Sequence, residues 1–455
     1  MPCALAAAEQ EQMLWAGQVD TAALEALCDS PLAAERAWAC YALARWRAGH
    51  GGDWAAAHAL LTPPDVAGAL MIGFGLLPAV VFMLEATIRA GDQARAISRL
   101  AEAKRVFGPR PELQLMAANL CISQPKVEFS QEKAQKWSTF LRPIYAQAGL
   151  AVPVLQGGET QAAPLFDRLT AARPGRFRAA LQGLQPIPHA KVSVLMPMRN
   201  AALTLDTALR SLCGQSWRDL EILVIDNGST DASLAIAQAW VARDTRIRLL
   251  DASADPGAYG ARNIGLAAAQ GDVITVQDAD DWAHPAKIER QLRALLAQDD
   301  RQASVSHWVR ATPDLGFTNW RADVGLIHRN VSSLMIRRRV QQRLGFWDRV
   351  QVGADSEYYL RLRAVWGPDA VVEVLPGVPL SFGRQSAEGL TQQKNLGLTS
   401  QFNGLRKHYA VASATWHDTL KQGEGGQNPY LRQYPDLRPF AINSALMLPP
   451  KSKTS

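Results

Sequence analysis

The pattern of apolar and polar positions divides the chain into two kinds of text. To about Ala180, Ala, Leu, Glu, Gln and Arg dominate. These are helix formers, in stretches of about 12 to 20 residues, the usual helix length in globular proteins. Breaks fall at Gly17, Gly49 to Gly52, Thr62-Pro63-Pro64, Gly91-Asp92, Gly108-Pro109 and Gln124-Pro125. Trp38–Leu61 and Val81–Phe107 share one plan, a helix, a Gly-Asp turn and a second Ala-rich helix. Residues 157–190 carry Gly157-Gly158, Pro164, Pro174-Gly175, Gly183, Pro186 and Pro188 and predict a linker. After Lys191 the period changes. Apolar runs Val192–Met196, Glu221–Ile225, Arg246–Leu250 and Val273–Val276 alternate with helical stretches 203–213, 232–242 and 258–269. Strands alternating with helices predict a parallel α/β sheet covered on both faces, with ligands beyond the carboxyl ends of its strands.

One stretch, Val66–Leu84, has no charge and is long enough to cross a bilayer. It contains Gly68, Gly73, Gly75 and Pro78, is bordered by Asp65 and Glu85, and has only Arg89 as a nearby base. A buried helix pair broken near Gly75–Pro78 fits this pattern better than a membrane-inserted segment.

Composition narrows the class. The chain has 455 residues, 48% hydrophobic and 20% charged, which predicts two or three folded domains. The net charge of +6 is small and its charges are interspersed, so no nucleic-acid partner is expected, while anionic substrates or an anionic membrane surface suit it. Five cysteines without metal or disulfide spacing point to a reducing compartment. No basic segment followed by an apolar core opens the chain, so no signal peptide is expected.

The polar strand ends carry the candidate chemistry. Asp278-Ala279-Asp280-Asp281 places three mutually repelling carboxylates directly after an apolar strand. Mg2+ or Mn2+ shared with substrate phosphates would offset them, and a diphosphate would supply the remaining oxygens. An acidic turn capping a helix from about Pro285, with Asp281 as the cap, is the structural alternative. Asp226, opening Asp226-Asn227-Gly228-Ser229-Thr230-Asp231, is placed to accept from a base or ribose, with Ser229 or Thr230 as the helix cap. Arg262, in a glycine-rich helix start, faces either phosphate or solvent. Asp355, at a later helix start, is a candidate general base or a helix cap.

Taken together, these stretches resemble the inverting family 2 glycosyltransferases of GT-A fold over about residues 191–390. The resemblance rests on Val192 to Asn200, Ser211 to Ser216, Glu221 to Asp231, Ala261-Arg262-Asn263, Gly271-Asp272 and Asp278 to Trp282 with His284-Pro285. It implies a GT-A α/β Rossmann-like domain at 191–390, after an all-α domain at 1–156 and the linker, with 391–455 as a C-terminal extension. It implies binding of a nucleoside-diphosphate sugar by Pro197, Arg199, Asp226, Asn227, Arg262 and Asp278. Asp280 with Asp278 would hold Mn2+ or Mg2+, and Asp355 would be the catalytic base. The donor expected first is a UDP-sugar and the acceptor a hydroxyl on a carbohydrate or lipid-linked molecule. The setting would be cell-surface polysaccharide or glycoconjugate synthesis, in the cytoplasm or at the inner face of the membrane. Three departures stand out: Asn227 replaces a frequent second Asp, Arg199 an aromatic residue, and the Arg384 to Thr391 loop lacks a common His.

The Val81–Phe107 hairpin resembles a tetratricopeptide unit through Ala86, Gly91, Ala94, Ala96 and Ala103, which makes the helical region a candidate site for a protein partner. A helical-repeat interaction protein with an inactive transferase-like domain is therefore the alternative to an active enzyme.

Overall fold

The computed structural model describes residues 4–123, 130–156, 163–172, 188–319, 321, 325–385, 396–420, 428–434 and 438–448. The expected break at Gln124-Pro125, most of the 157–190 linker, the Ser386–Thr391 part of the late loop and the 451–455 terminus lie outside them.

Among the described residues nine α-helices come first: α1 (Leu5–Trp15), α2 (Ala22–Leu27), α3 (Ala33–Gly51), α4 (Trp54–Leu60), α5 (Pro64–Gly68), α6 (Leu77–Arg89), α7 (Gln93–Phe107), α8 (Pro111–Ile122) and α9 (Gln131–Ala146). Two hairpins, α3–α4 and α6–α7, turn in the same way. Gly52 and Gly91 take positive φ, and Asp53 and Asp92 accept from Ala56 N and Arg95 N to start the next helix. In the uncharged stretch a π-turn (Ala69–Gly73) follows α5, the chain breaks at residues 74–76, and Pro78 sits in the first turn of α6. Leu70, Met71 and Ala79 to Leu84 are buried in the protein core. Among the described residues no single helix is long and apolar enough to cross a membrane, although the bent pair 54–60 and 64–73 meets that test by length and composition.

The helices share their core with the sheet that follows. Leu113, Trp137 and Tyr145 belong to one apolar cluster with Phe317 and Phe382, and Trp137 stacks on Phe317 at 6.1 Å. Polar bonds fix the seam. Asn119 donates to Phe317 O (2.7 Å) and accepts from Phe317 N (2.8 Å), and Tyr145 OH donates to Pro379 O (2.7 Å). A short antiparallel pair, β1 (Pro153–Leu155) and β2 (Leu169–Ala171), lies between, with a 3-10 turn at Leu165–Arg168.

The strands β3 (Val192–Met198), β4 (Leu220–Asp226), β5 (Ile247–Asp251) and β6 (Val273–Val276) are parallel, in the order β5-β4-β3-β6, joined by α10 (Leu205–Cys213), α11 (Ser233–Arg243) and α12 (Ala258–Ala268). Gly271 precedes β6 because a Cβ there would lie 2.6 Å from Ser193 N, and backbone cannot yield. The sheet continues as β10-β8-β11-β7, built from β7 (Trp282–Ala283), β8 (Ala303–Ala311), β10 (Met335–Arg337) and the long β11 (Val371–Arg384), with β9 (Ile327–Arg329) also paired to β8. β10 runs antiparallel to β6 and β8, so the whole is the curled mixed sheet of a GT-A fold rather than a purely parallel one.

Helices α13 (Lys287–Leu296), α14 (Arg338–Leu344), α15 (Ala354–Trp366) and α16 (Leu405–Leu420) complete the layers. A buried Glu357 pairs with Arg361 (3.0 Å) and with His417 (2.9 Å), which ties α16 to α15. The C-terminal segment packs back: Leu431 and Leu446 are buried, and Tyr434 OH donates to Asp255 Oδ2 in the β5–α12 loop.

Candidate active site

Strand β6 ends at Val276, and the acidic turn Asp278–Asp281 follows it directly. The guanidinium of Arg262, only 4% exposed, donates to Asp278 Oδ1 at 2.6 Å. Burial disfavours its charge, but the fields of Asp278, Tyr259 and Asp355 outweigh that and hold it above its ordinary value. Spacing left Arg262 between solvent and phosphate. It is buried beside Asp278, and its Nε has no hydrogen-bond partner among the described residues.

Burial and the charge of Asp278 push the Asp280 carboxyl up to about 6. Asp281 is pushed further by burial and by Asp280 and Asp278, and accepts from Arg384 N at 3.0 Å. It does not cap a helix. α13 starts at Lys287, and Ala286 N donates instead to His284 Nδ1 (3.1 Å). Buried Lys287, lowered to about 8 by burial against the pull of Asp281 and Asp278, donates to Gln277 Oε1 at 2.9 Å.

Asp355 is the second residue of α15, whose N-cap is Gly353 at φ 92°. It caps no free helix end beyond its neighbour Ser356 N (2.8 Å). Tyr259 OH donates to its Oδ1 at 3.1 Å, and Ser332 Oγ lies 3.5 Å from its Oδ2. Tyr259 also carries Arg262 over its ring at 5.2 Å, so the Asp278–Arg262 pair and Asp355 meet across one aromatic side chain.

The ends of β3 and β4 serve differently. Asp226 Oδ1 accepts from Ser229 N (3.1 Å), closing its own loop. Neither Ser229 nor Thr230 caps α11, which starts later, at Ser233, where Asp231 Oδ1 accepts from Ser233 N (2.9 Å). Ser229 Oγ and Thr230 N bond instead to Asn200, stapling the two loops together. Asn227 is buried, donates to Ala252 O (2.9 Å) and accepts from Gly257 N (2.8 Å), so its amide is committed to the β5–α12 loop. Pro197 is buried within β3, and Arg199 is exposed just past it.

The fold thus brings Asp278, Arg262 and Asp355 together, with Asp280 beside Asp278, whereas Asp226 and Asn227 bond within their own loop and to the β5–α12 loop. Sequence reasoning missed Tyr259, Lys287 and a brace from the preceding segment. Arg384 at the end of β11 pairs with Asp167, stacks over Phe166 at 4.1 Å and donates to Asp280 O at 3.3 Å. A cation immediately after an apolar strand was the available signal for Arg384; Asp167 had none.

Among the described residues no group of three or more His, Cys, Asp or Glu could hold an ion unaided. Asp278 and Asp280 form an incomplete donor set, which fits Mg2+ or Mn2+ completed by phosphate and water oxygens.

Residues 193–353 match the family model described as glycosyl transferase family 2. An uncharacterized glycosyltransferase of Haemophilus influenzae is 40% identical over 105 residues, covering 23% of this chain and 42% of that protein. The glycosyltransferase GlyG of Streptococcus pneumoniae is 32% identical over 108 residues, covering 24% of this chain and 36% of that protein. Each match spans less than half of the relative's own length. Among solved structures, glucosyl-3-phosphoglycerate synthase of Mycobacterium tuberculosis with Mn2+ and UDP aligns over 50% of this chain and 80% of its own, at 18% identity and a TM-score of 0.37. Residues 193–353 are a glycosyl transferase family 2 domain.

Proposed function

We propose that the chain transfers a sugar from a nucleoside-diphosphate sugar to a hydroxyl of a carbohydrate or lipid-linked acceptor, with inversion. The observation that supports this most is the pairing of two opposite functions across Tyr259. On one side stand the Asp278–Arg262 pair and Asp280, suited to a diphosphate. On the other stands Asp355, suited to a proton.

In this reading Asp355 takes the proton from the acceptor hydroxyl while its oxygen attacks the anomeric carbon. Tyr259 holds the carboxylate by its Oδ1. Arg262, with its unpartnered Nε, neutralises charge on the departing diphosphate. Asp280 and Asp278 would hold the divalent cation, which supplies further charge stabilisation to the leaving group when bound. A uridine diphosphate sugar is the first donor to test.

The test is thermal-shift binding with a panel of nucleotides and sugar nucleotides, with and without Mn2+, on wild type and Asp280→Ala. Metal-dependent stabilisation by one diphosphate, lost in the variant, would support the reading and select the base. No binding by any nucleotide under any metal condition would sink it and leave the helical region as the place to look for function.

A further inference from the structure

The charged groups of the candidate site extend past the acidic turn to a strand outside the four-stranded parallel half. Arg310 is at the end of β8, two strands beyond β6 in the sheet. Its guanidinium lies over the Trp308 ring at 4.6 Å and makes no ion pair or side-chain hydrogen bond among the described residues. Burial disfavours its charge, the fields of Asp281 and Asp280 support it, and Arg321 opposes it. Asp280 is one of the two residues assigned above to a cation, so its support for Arg310 would fall once its charge is offset. A half-buried guanidinium without an ion pair keeps its fork of donors open, and that fork suits a phosphate or a carboxylate.

Two neighbours make this a built site. Trp308 is 8% exposed, and its indole Nε1 is buried without an acceptor among the described residues. Its ring lies against β11 at Gly383, where a Cβ would come within 2.6 Å of ring Cζ3, so the absence of a side chain there sets the ring's place. His328 on β9 meets the Trp308 ring edge-on at 5.7 Å. Burial holds it down to about 4, and its Nδ1 faces Leu326 O at 3.4 Å, so the neutral ring presents Nε2 as an acceptor for a hydroxyl of the sugar rather than a donor to the anion.

We propose that Arg310 and Trp308, with His328 beside them to accept from a hydroxyl, form an acceptor subsite that recognises an anionic group, a phosphate or a carboxylate, on the sugar or carrier to be glycosylated. The proposal rests on the transferase reading above. It places the acceptor on the β8–β11 side of Asp278–Asp281, away from the β4 and β5 ends.

The experiment is calorimetric titration of the full chain, saturated with Mn2+ and the diphosphate selected by the panel, with glucose 6-phosphate, glucuronate and glucose. One of the two anions is expected to bind at least about tenfold more tightly than glucose, the worth of one charge-assisted hydrogen bond. Arg310→Gln should remove that preference and Arg310→Lys should keep part of it, with diphosphate binding by each variant as the sign that it folds. Preference for the phosphate ester would assign phosphorylated acceptors, and preference for glucuronate would assign uronic acids. Equal binding of anions and glucose, or a preference that survives Arg310→Gln, would overturn the subsite alone. Failure of every diphosphate to bind with Mn2+ would overturn the transferase reading and the subsite with it.

Discussion

Asp167 and Arg384, 217 residues apart in the chain, form an ion pair whose guanidinium also reaches the Asp280 carbonyl at 3.3 Å. Asp167 has further donors: Thr207 Oγ1 to its Oδ1 at 2.7 Å and Arg210 Nη2 to its carbonyl at 2.6 Å. The segment before the family domain therefore holds the acidic turn from outside, and Arg384 is a positioning residue. Asp167→Ala would leave Arg384 buried without its partner, at a cost of about 3 kcal/mol. The expected result is a lower urea midpoint together with a lower kcat and weaker metal-dependent nucleotide binding. Asp167→Glu should recover part of both. Loss of stability with kcat unchanged would make the brace structural only.

Tyr259 is placed to orient Asp355 and to carry Arg262, without touching a reacting atom itself. Tyr259→Phe keeps the ring beneath Arg262 and removes only the hydroxyl. One hydrogen bond to a charged group is worth about 1.5 kcal/mol, so kcat should fall about tenfold. The acceptor-independent affinity for the diphosphate should stay as it is. A fall in nucleotide affinity equal to the fall in kcat would show that the hydroxyl serves the donor side instead.

The parallel half of the sheet was legible because its strands are buried on both faces and so read as unbroken apolar runs such as Leu223-Val224-Ile225. Asp278 and Asp280 were legible because carboxylates directly after such a run have few structural reasons to be there. The antiparallel half was not. β7, β9 and β10 are two or three residues long and carry no period. Asn227 looked like a base contact because its type and place fit one, whereas its amide holds a loop through bonds to residues about 25 to 30 positions ahead, which no local pattern encodes. The Asp167 brace escaped for the same reason, on a larger scale.

His284 offers a pH test of the seam between the helical region and the sheet. Its Nε2 lies 2.9 Å from Ala151 O and its Nδ1 accepts from Ala286 N at 3.1 Å, which fits the neutral ring protonated on Nε2. Burial lowers it from 6.5 to about 4. The unfolded chain then binds more protons between those values, so this group's contribution to stability falls as pH drops from 6.5 toward 4, by at most about 3 kcal/mol. His328 acts with the same sign in that window, and the raised Asp280 with the opposite sign. The informative quantity is therefore the difference between parent and His284→Gln in urea titrations at several pH values. That difference should shrink steadily on acidification below 6.5. A difference independent of pH would show that His284 does not titrate in this range.

Gly383 gives the last test, because it separates the place of Trp308 from its chemistry. An added Cβ would lie 2.6 and 2.7 Å from Trp308 Cζ3 and Cε3, closer than side-chain atoms approach, so the ring must move. Gly383 precedes Arg384 in β11 and pairs with Arg310 in β8, so a displaced ring disturbs the stack beneath Arg310 first. Overpacking of this kind costs about 1 to 3 kcal/mol. Gly383→Ala should therefore lower the melting temperature and weaken anion binding at the β8 side together. Trp308→Phe removes the indole N–H and makes room at Gly383, so the double variant Gly383→Ala, Trp308→Phe should regain stability relative to Gly383→Ala. Its anion binding should stay weaker than that of wild type. If the double variant regained full anion binding, the indole N–H would have no part in the subsite, and Trp308 would be only the surface on which Arg310 rests.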